Sequence, residues 1–135
     1  MNTNNYAELA ERARRIRINA LKAIHAAKSG HPGGSLSAAD IIATLYFEVL
    51  NIDPQEPDKA DRDKFIISKG HAVPALYAAL GERGFYDVDD MMTLRQVDSR
   101  FQGHPNMHKV PGIEMSTGSL GQGFSAAVGM AIAGK

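Results

Sequence analysis

Three short stretches set a histidine directly after a glycine: Gly30-His31-Pro32-Gly33-Gly34, Lys69-Gly70-His71-Ala72 and Gly103-His104-Pro105. A neutral imidazole both donates and accepts a hydrogen bond, and it changes charge close to physiological pH. Histidines in such loops suit proton transfer at hydroxyls and carbonyls. A fourth stretch, Glu114-Met115-Ser116-Thr117-Gly118-Ser119-Leu120-Gly121-Gln122-Gly123, is a glycine-rich turn running into an apolar helix over 124–133. Its three glycines in six residues cost folding entropy and belong where a backbone turns sharply or approaches something closely. A helix start also leaves backbone N–H groups without intrahelical partners, and these suit an anion or a polar ligand edge. Alone, the turn reads first as a packing corner. The three histidine loops upstream of it favour a shared polar pocket.

Other chemistries match the pattern less well. Zinc would need the three histidines together, and their separations of 40 and 33 residues follow no compact ligand spacing. Ser116, Thr117 and Ser119 lack the G-x-S-x-G elbow that exposes a serine nucleophile. Lys69 could reach a phosphate but reads first as a surface lysine. His25, late in the first helix, faces that helix's C-terminal dipole and is given no chemical role. A Gly-His-Pro turn can also do no more than satisfy local backbone groups.

Ser29-Gly30-His31-Pro32-Gly33-Gly34-Ser35, Ser68-Lys69-Gly70-His71-Ala72 and Ser116-Thr117-Gly118-Ser119-Leu120-Gly121-Gln122-Gly123 occur in an order and at separations that carry a family resemblance. The chain resembles the N-terminal, diphosphate-binding part of transketolases, which are thiamine diphosphate enzymes. The form it resembles most is the small subunit found where the enzyme is split into two polypeptides, over about residues 20–135. The resemblance implies an α/β fold: a helix-rich N-terminal portion of a thiamine-diphosphate-binding fold, with few short strands and an incomplete parallel sheet. Residues 1–135 would be a partial domain of that kind.

The resemblance also assigns roles. His31 and His71 match histidines lining the diphosphate and thiazolium side, where they assist proton transfers at substrate oxygens. His104 matches a histidine that hydrogen-bonds the hydroxyl end of the ketose donor. Gly118 matches a residue whose carbonyl contacts the aminopyrimidine, Leu120 an apolar contact to the cofactor rings, and Gly121 lies in the same cofactor-binding turn. The implied reaction moves a two-carbon ketol unit from a ketose phosphate to an aldose phosphate, as in the pentose phosphate pathway. The family holds magnesium and the diphosphate through a Gly-Asp-Gly stretch with a downstream asparagine, and no Gly-Asp-Gly occurs here. The glutamate that activates the aminopyrimidine belongs to another domain. The implied partners are therefore a C-terminal transketolase subunit or missing domain in a homo- or hetero-oligomer, and the chain alone is expected to be inactive. Two alternatives stay open: another thiamine diphosphate enzyme such as deoxyxylulose-phosphate synthase, or a truncated, non-catalytic association module whose sticky surface is the apolar helix.

Bulk properties set limits on these readings. The 135 residues are the size of one domain with a real core. Fifteen basic and fifteen acidic side chains cancel, so no global field favours nucleic acid or an acidic membrane surface. Local donors must hold any anionic ligand. The chain has no cysteine, which fits a reducing compartment, and Met1-Asn2-Thr3-Asn4-Asn5 lacks the features of a signal peptide. No apolar run approaches the ~20 residues that span a bilayer. A soluble, cytoplasmic protein is expected.

The positioning elements follow from period and punctuation. Tyr6, Leu9, Ala13, Ile16, Ala20, Ile24 and Ala27 form the buried stripe of a first helix, with Arg12, Arg15, Arg17 and Lys22 mostly off it on a solvated face. Gly30 stops that helix and Pro32 prevents its resumption. A second helix is predicted from near Ser37, with Asp40 in a capping-box position and Ile41, Ile42, Leu45, Tyr46 and Val49 as its apolar face. Residues 65–68 are the best strand candidate, and 113–115 a second. Pro74 opens a helix that Gly84 caps, and Asp87 and Asp90 frame a short helix over 88–95. The loop from Gln96 to Pro111 has no period and is long enough to suggest function. Gly121, Ser125 and Gly129 give the last helix a thin packing face, and its remaining residues are apolar nearly all round, which predicts burial from several sides. Two short strands scarcely provide a sheet for so many helices, so the physics by itself describes an incomplete domain.

Overall fold

The computed structural model describes residues 3–134, with side chains from Asn5 onward. Four helices carry the fold: α1 (Thr3–Ala27), α2 (Pro32–Thr44), α3 (Val73–Arg83) and α4 (Gln122–Ala133). The first three pack against one another and enclose the core. α1 contributes Ala13, Ile16 and Ala20 of the predicted stripe to it, together with Ala23, which the stripe left out, and Tyr6 at its start is exposed. α3 is buried along nearly its whole length, from Val73 to Leu80.

Charge seals the seam between α1 and α3. Glu82 of α3 keeps only 3% of its side chain exposed, with the Arg15 guanidinium 2.8 Å away and Arg12 at 3.8 Å. Asn19 donates to the same carboxylate at 2.9 Å. Arg17 pairs instead with Asp40 of α2. The basic face of α1 thus tethers two helices as well as meeting solvent.

Several local expectations hold and others need correction. Pro74 lies in the first turn of α3, and Gly84 closes that helix in the left-handed region at φ +101°, which favours glycine. The Asp87 side chain accepts the Asp89 N–H and caps a 3-10 turn, Val88–Thr93, shorter than the predicted helix. α2 begins at Pro32, five residues before Ser37. Pro32 there is an initiator, since the first helical position has no intrahelical partner for its N–H anyway. Ser37 donates to the Gly34 carbonyl, so Ser37 and Asp40 form no capping box. α2 ends in a π-helical turn, Leu45–Val49, and Ile41 and Val49 of its predicted apolar face are exposed.

No β-strand forms among the described residues. Residues 65–67 and 113–117 have no regular secondary structure, because a ladder needs a partner strand and neither segment has one. The apolar α4 was expected to be buried all round. It is instead largely open, with Phe124 69% and Ile132 71% exposed, and a Cβ on Gly129 would meet nothing within 4 Å. No helix of the described residues is long and apolar enough to cross a membrane.

Candidate functional site

The four chemistry-bearing stretches converge around the Gly70–Ala72 turn and Gly118. His31 is the residue before α2, at φ −121° and ψ 89°, and the α2 backbone launches directly from it through Pro32. His71 sits in the 3-10 turn Gly70–Ala72 that leads into α3. Their rings meet edge to face, with centroids 5.2 Å apart. A Cβ on Gly34 would lie 3.3 Å from His71 Nε2 and 3.2 Å from the Ala72 methyl, so the first turn of α2 packs directly on the second loop. Buried Ser35 strengthens the contact by donating to the Ala72 carbonyl at 3.3 Å.

The glycine-rich turn closes on the same loop. A Cβ on Gly70 would stand 2.5 Å from the Thr117 carbonyl oxygen, a distance real side chains do not adopt, and 3.1 Å from Gly118 Cα. Thr117 Oγ1 donates to the Ile67 carbonyl at 2.6 Å, and the Phe124 N–H donates to Ser68 Oγ at 3.1 Å. These bonds take the place of the ladder expected for 65–68.

His104 enters from the long loop. The Tyr77 hydroxyl of α3 donates to the carbonyls of Gln102 and His104, each at 3.2 Å. Phe101 anchors the loop in the core, with its ring edge-on to Tyr77 and Tyr86. His104 Cδ2 lies 3.7 Å from where a Gly118 Cβ would stand. Its imidazole is held below the usual histidine pKa, first by partial desolvation and then by the positive charges of Arg95, His71 and His31.

His31, His71, His104 and Gly118 are thus gathered. Gly121 is at the edge of the group: it adopts φ +90° as the residue preceding α4 and donates to the Ser68 carbonyl at 3.4 Å. Leu120, in the same turn, is 70% exposed. Among the described residues no group of three or more His, Asp or Glu could hold a metal ion.

Lys69 is the residue that sequence reasoning misplaced. It is half-buried, and its ammonium donates to the Gly34 carbonyl at 2.9 Å and to Ser37 Oγ at 3.2 Å, tying the first histidine loop to the second. Its place inside the Ser-Lys-Gly-His stretch was the only signal, and that signal does not say which way the stem points.

The comparisons decide the family. A family model described as transketolase, thiamine diphosphate binding domain, matches residues 9–135. The chain belongs to that transketolase family. Within it, the chain is 46% identical over 126 residues to the 6-deoxy-6-sulfo-D-fructose transketolase subunit SqwG of Clostridium sp. (strain MSTE9), covering 93% of this chain and 46% of that protein. It is 44% identical over 132 residues to an apulose-4-phosphate transketolase subunit of Actinobacillus succinogenes, covering 96% of this chain and 48% of that protein. Among solved structures, transketolase from Leishmania mexicana superposes with a TM-score of 0.87 at 42% identity, over 93% of this chain and 19% of that one. The chain spans about half the length of these two curated relatives. Its helix-rich architecture is that of the transketolase N-terminal domain, and the gathered histidine loops are part of that domain.

Proposed function

We propose that this chain supplies the N-terminal part of a thiamine-diphosphate-dependent transketolase, one that moves a two-carbon ketol unit from a ketose phosphate to an aldose phosphate. The observation that carries this reading is the convergence of His31, His71 and His104 on the Gly118 turn, in a member of that family. The residues fit one side of such a cofactor: imidazole donors lie beside a close-packed backbone turn, and that turn carries an exposed leucine. Among the described residues there is no cluster of oxygen ligands, so magnesium and the diphosphate would be anchored by groups other than these.

When bound, thiamine diphosphate supplies the carbon–carbon bond chemistry. The chain's own residues then bind and move protons. His31 and His71 are assigned to the diphosphate and thiazolium side, where they donate to and accept from substrate oxygens. His104, biased towards its neutral form, is assigned to the hydroxyl end of the donor, where a neutral ring can accept one hydrogen bond and donate another. The Gly118 carbonyl would accept from the aminopyrimidine and Leu120 would offer apolar surface to the cofactor rings, while Gly121 sets the start of α4.

The remainder of the assembly also completes the sheet. Residues 65–68 and 113–117 are the segments we assign to a parallel α/β sheet, with ladder partners from a second half of the domain. The open apolar side of α4 would then be covered by that half, and a C-terminal subunit or domain would complete the oligomer.

The test is complementation. Residues 1–135 are grafted in place of the matching segment of a split-type subunit, and the chimera is mixed with its C-terminal partner. Ketol transfer that depends on thiamine diphosphate and magnesium is expected from the mixture and not from the isolated chain. A folded chimera without transfer on any ketose phosphate donor contradicts the reading.

A further inference from the structure

No sequence motif assigns a role to Arg95, yet its backbone and side chain are both unusual. Among the described residues Arg95 is one of three non-glycine residues with positive φ, at +62°, a region that side chains other than glycine's seldom occupy. The left-handed turn is locked by the Arg95 N–H, which donates to the Phe101 carbonyl at 2.8 Å. It folds the side chain back across its own loop. A Cβ on Gly103 would lie 2.5 Å from Arg95 Cζ, 2.5 Å from Nη2 and 2.7 Å from Nε. Three atoms of the fork at near-equal distance mean that the guanidinium covers Gly103 with its face. Any other residue at position 103 would displace it. No carboxylate among the described residues forms an ion pair with Arg95, so its charge is not neutralised locally.

We propose that Arg95 is a positioning residue for His104, its guanidinium seated over Gly103 so that the next imidazole is held against the Gly118 turn beside a fixed positive charge. This rests on the substrate-facing role given to His104 above. The other groups that face His104 are known: His71 from the second loop, His31 from the first, and Tyr77 from α3, which meets its carbonyl rather than its ring. The turn meets it at Gly118, which carries no charge. Burial contributes most to holding His104 deprotonated, and the Arg95 charge is the largest of the electrostatic contributions. A guanidinium stays charged throughout the range in which histidine titrates, so its effect does not fade with pH there.

The test is an NMR titration of the His104 ring in the purified, cofactor-free chain, for wild type, Arg95→Gln and Gly103→Ala. Because no cofactor or turnover is involved, the outcome is independent of whether the chain takes part in ketol transfer. Arg95→Gln is expected to raise the His104 midpoint, since protonation no longer opposes a fixed positive charge. Gly103→Ala is expected to raise it in the same direction with the arginine still present, because the new methyl pushes the guanidinium away. A purely structural arginine would change the unfolding midpoint and leave the titration where it was. Equal His104 midpoints in wild type and Arg95→Gln overturn the proposal. So does a folded Gly103→Ala chain that titrates like wild type.

Discussion

Gly70 and Thr117, 47 positions apart in the sequence, touch so closely that the Cβ glycine lacks would stand 2.5 Å from the threonine carbonyl oxygen. Backbone meets backbone there, so nothing flexible can yield. This contact brings the second histidine loop against the glycine-rich turn, and through Gly118 against His104. Gly70→Ala is therefore expected to destabilise the chain by about 1–3 kcal/mol, the usual cost of forcing a methyl into a filled site. Urea unfolding measures it directly, and the His71 and His104 ring resonances should shift in the folded variant.

Tyr77→Phe tests how the third loop is held. The hydroxyl donates to the Gln102 and His104 carbonyls, and both lose that donor while the ring stays in the core. The expected loss is about 1 kcal/mol, the net value of a typical hydrogen bond. Amide exchange in residues 99–104 should accelerate more than in α1, which reads the loop apart from the fold.

Arg62 and Glu114 form a mostly buried ion pair, with side chains 14% and 8% exposed, that ties the charged 51–64 loop to the segment entering the turn. Arg62 Nε is buried with no partner, so the pair already carries some desolvation cost. Glu114→Gln removes the carboxylate paired with the guanidinium and is expected to cost about 3–5 kcal/mol. A double change of Arg62→Met with Glu114→Leu should recover most of that loss in thermal unfolding.

Stability should depend on the protonation of His104. Its folded pKa lies below the ordinary histidine value of 6.5, so between the two values the unfolded chain binds more protons than the folded one. Stability therefore falls as pH drops through 6.5 and levels off below the folded value. Urea midpoints at pH 7.5 and 5 should converge in His104→Gln relative to wild type, because that variant lacks this contribution.

Local signals in the sequence are readable where the physics is local. Pro74 and Gly84 bracket α3, and Asp87 caps its turn, because each acts on backbone groups within a few residues. Pro32 misleads because proline breaks a helix interior and opens a helix start, and only the chain on both sides decides which. Strands over 65–68 and 113–115 could not be settled because a ladder depends on distant partners. The convergence of His31, His71 and His104 was legible through the family resemblance. The bridging ammonium of Lys69 and the left-handed turn at Arg95 were not, since tertiary contacts set both. α4 marks a different limit: its composition predicts burial, and the surface that would bury it is not among the described residues.

The most direct measurement is calorimetry of thiamine diphosphate with magnesium, comparing the isolated chain with the complemented assembly and its His71→Ala form. The account predicts no micromolar binding to the chain alone, micromolar binding to the assembly, and at least tenfold weaker binding after His71→Ala, about 1.4 kcal/mol. A folded assembly that binds the cofactor equally well with and without the His71 imidazole, or an isolated chain that binds it at micromolar concentration, would contradict it.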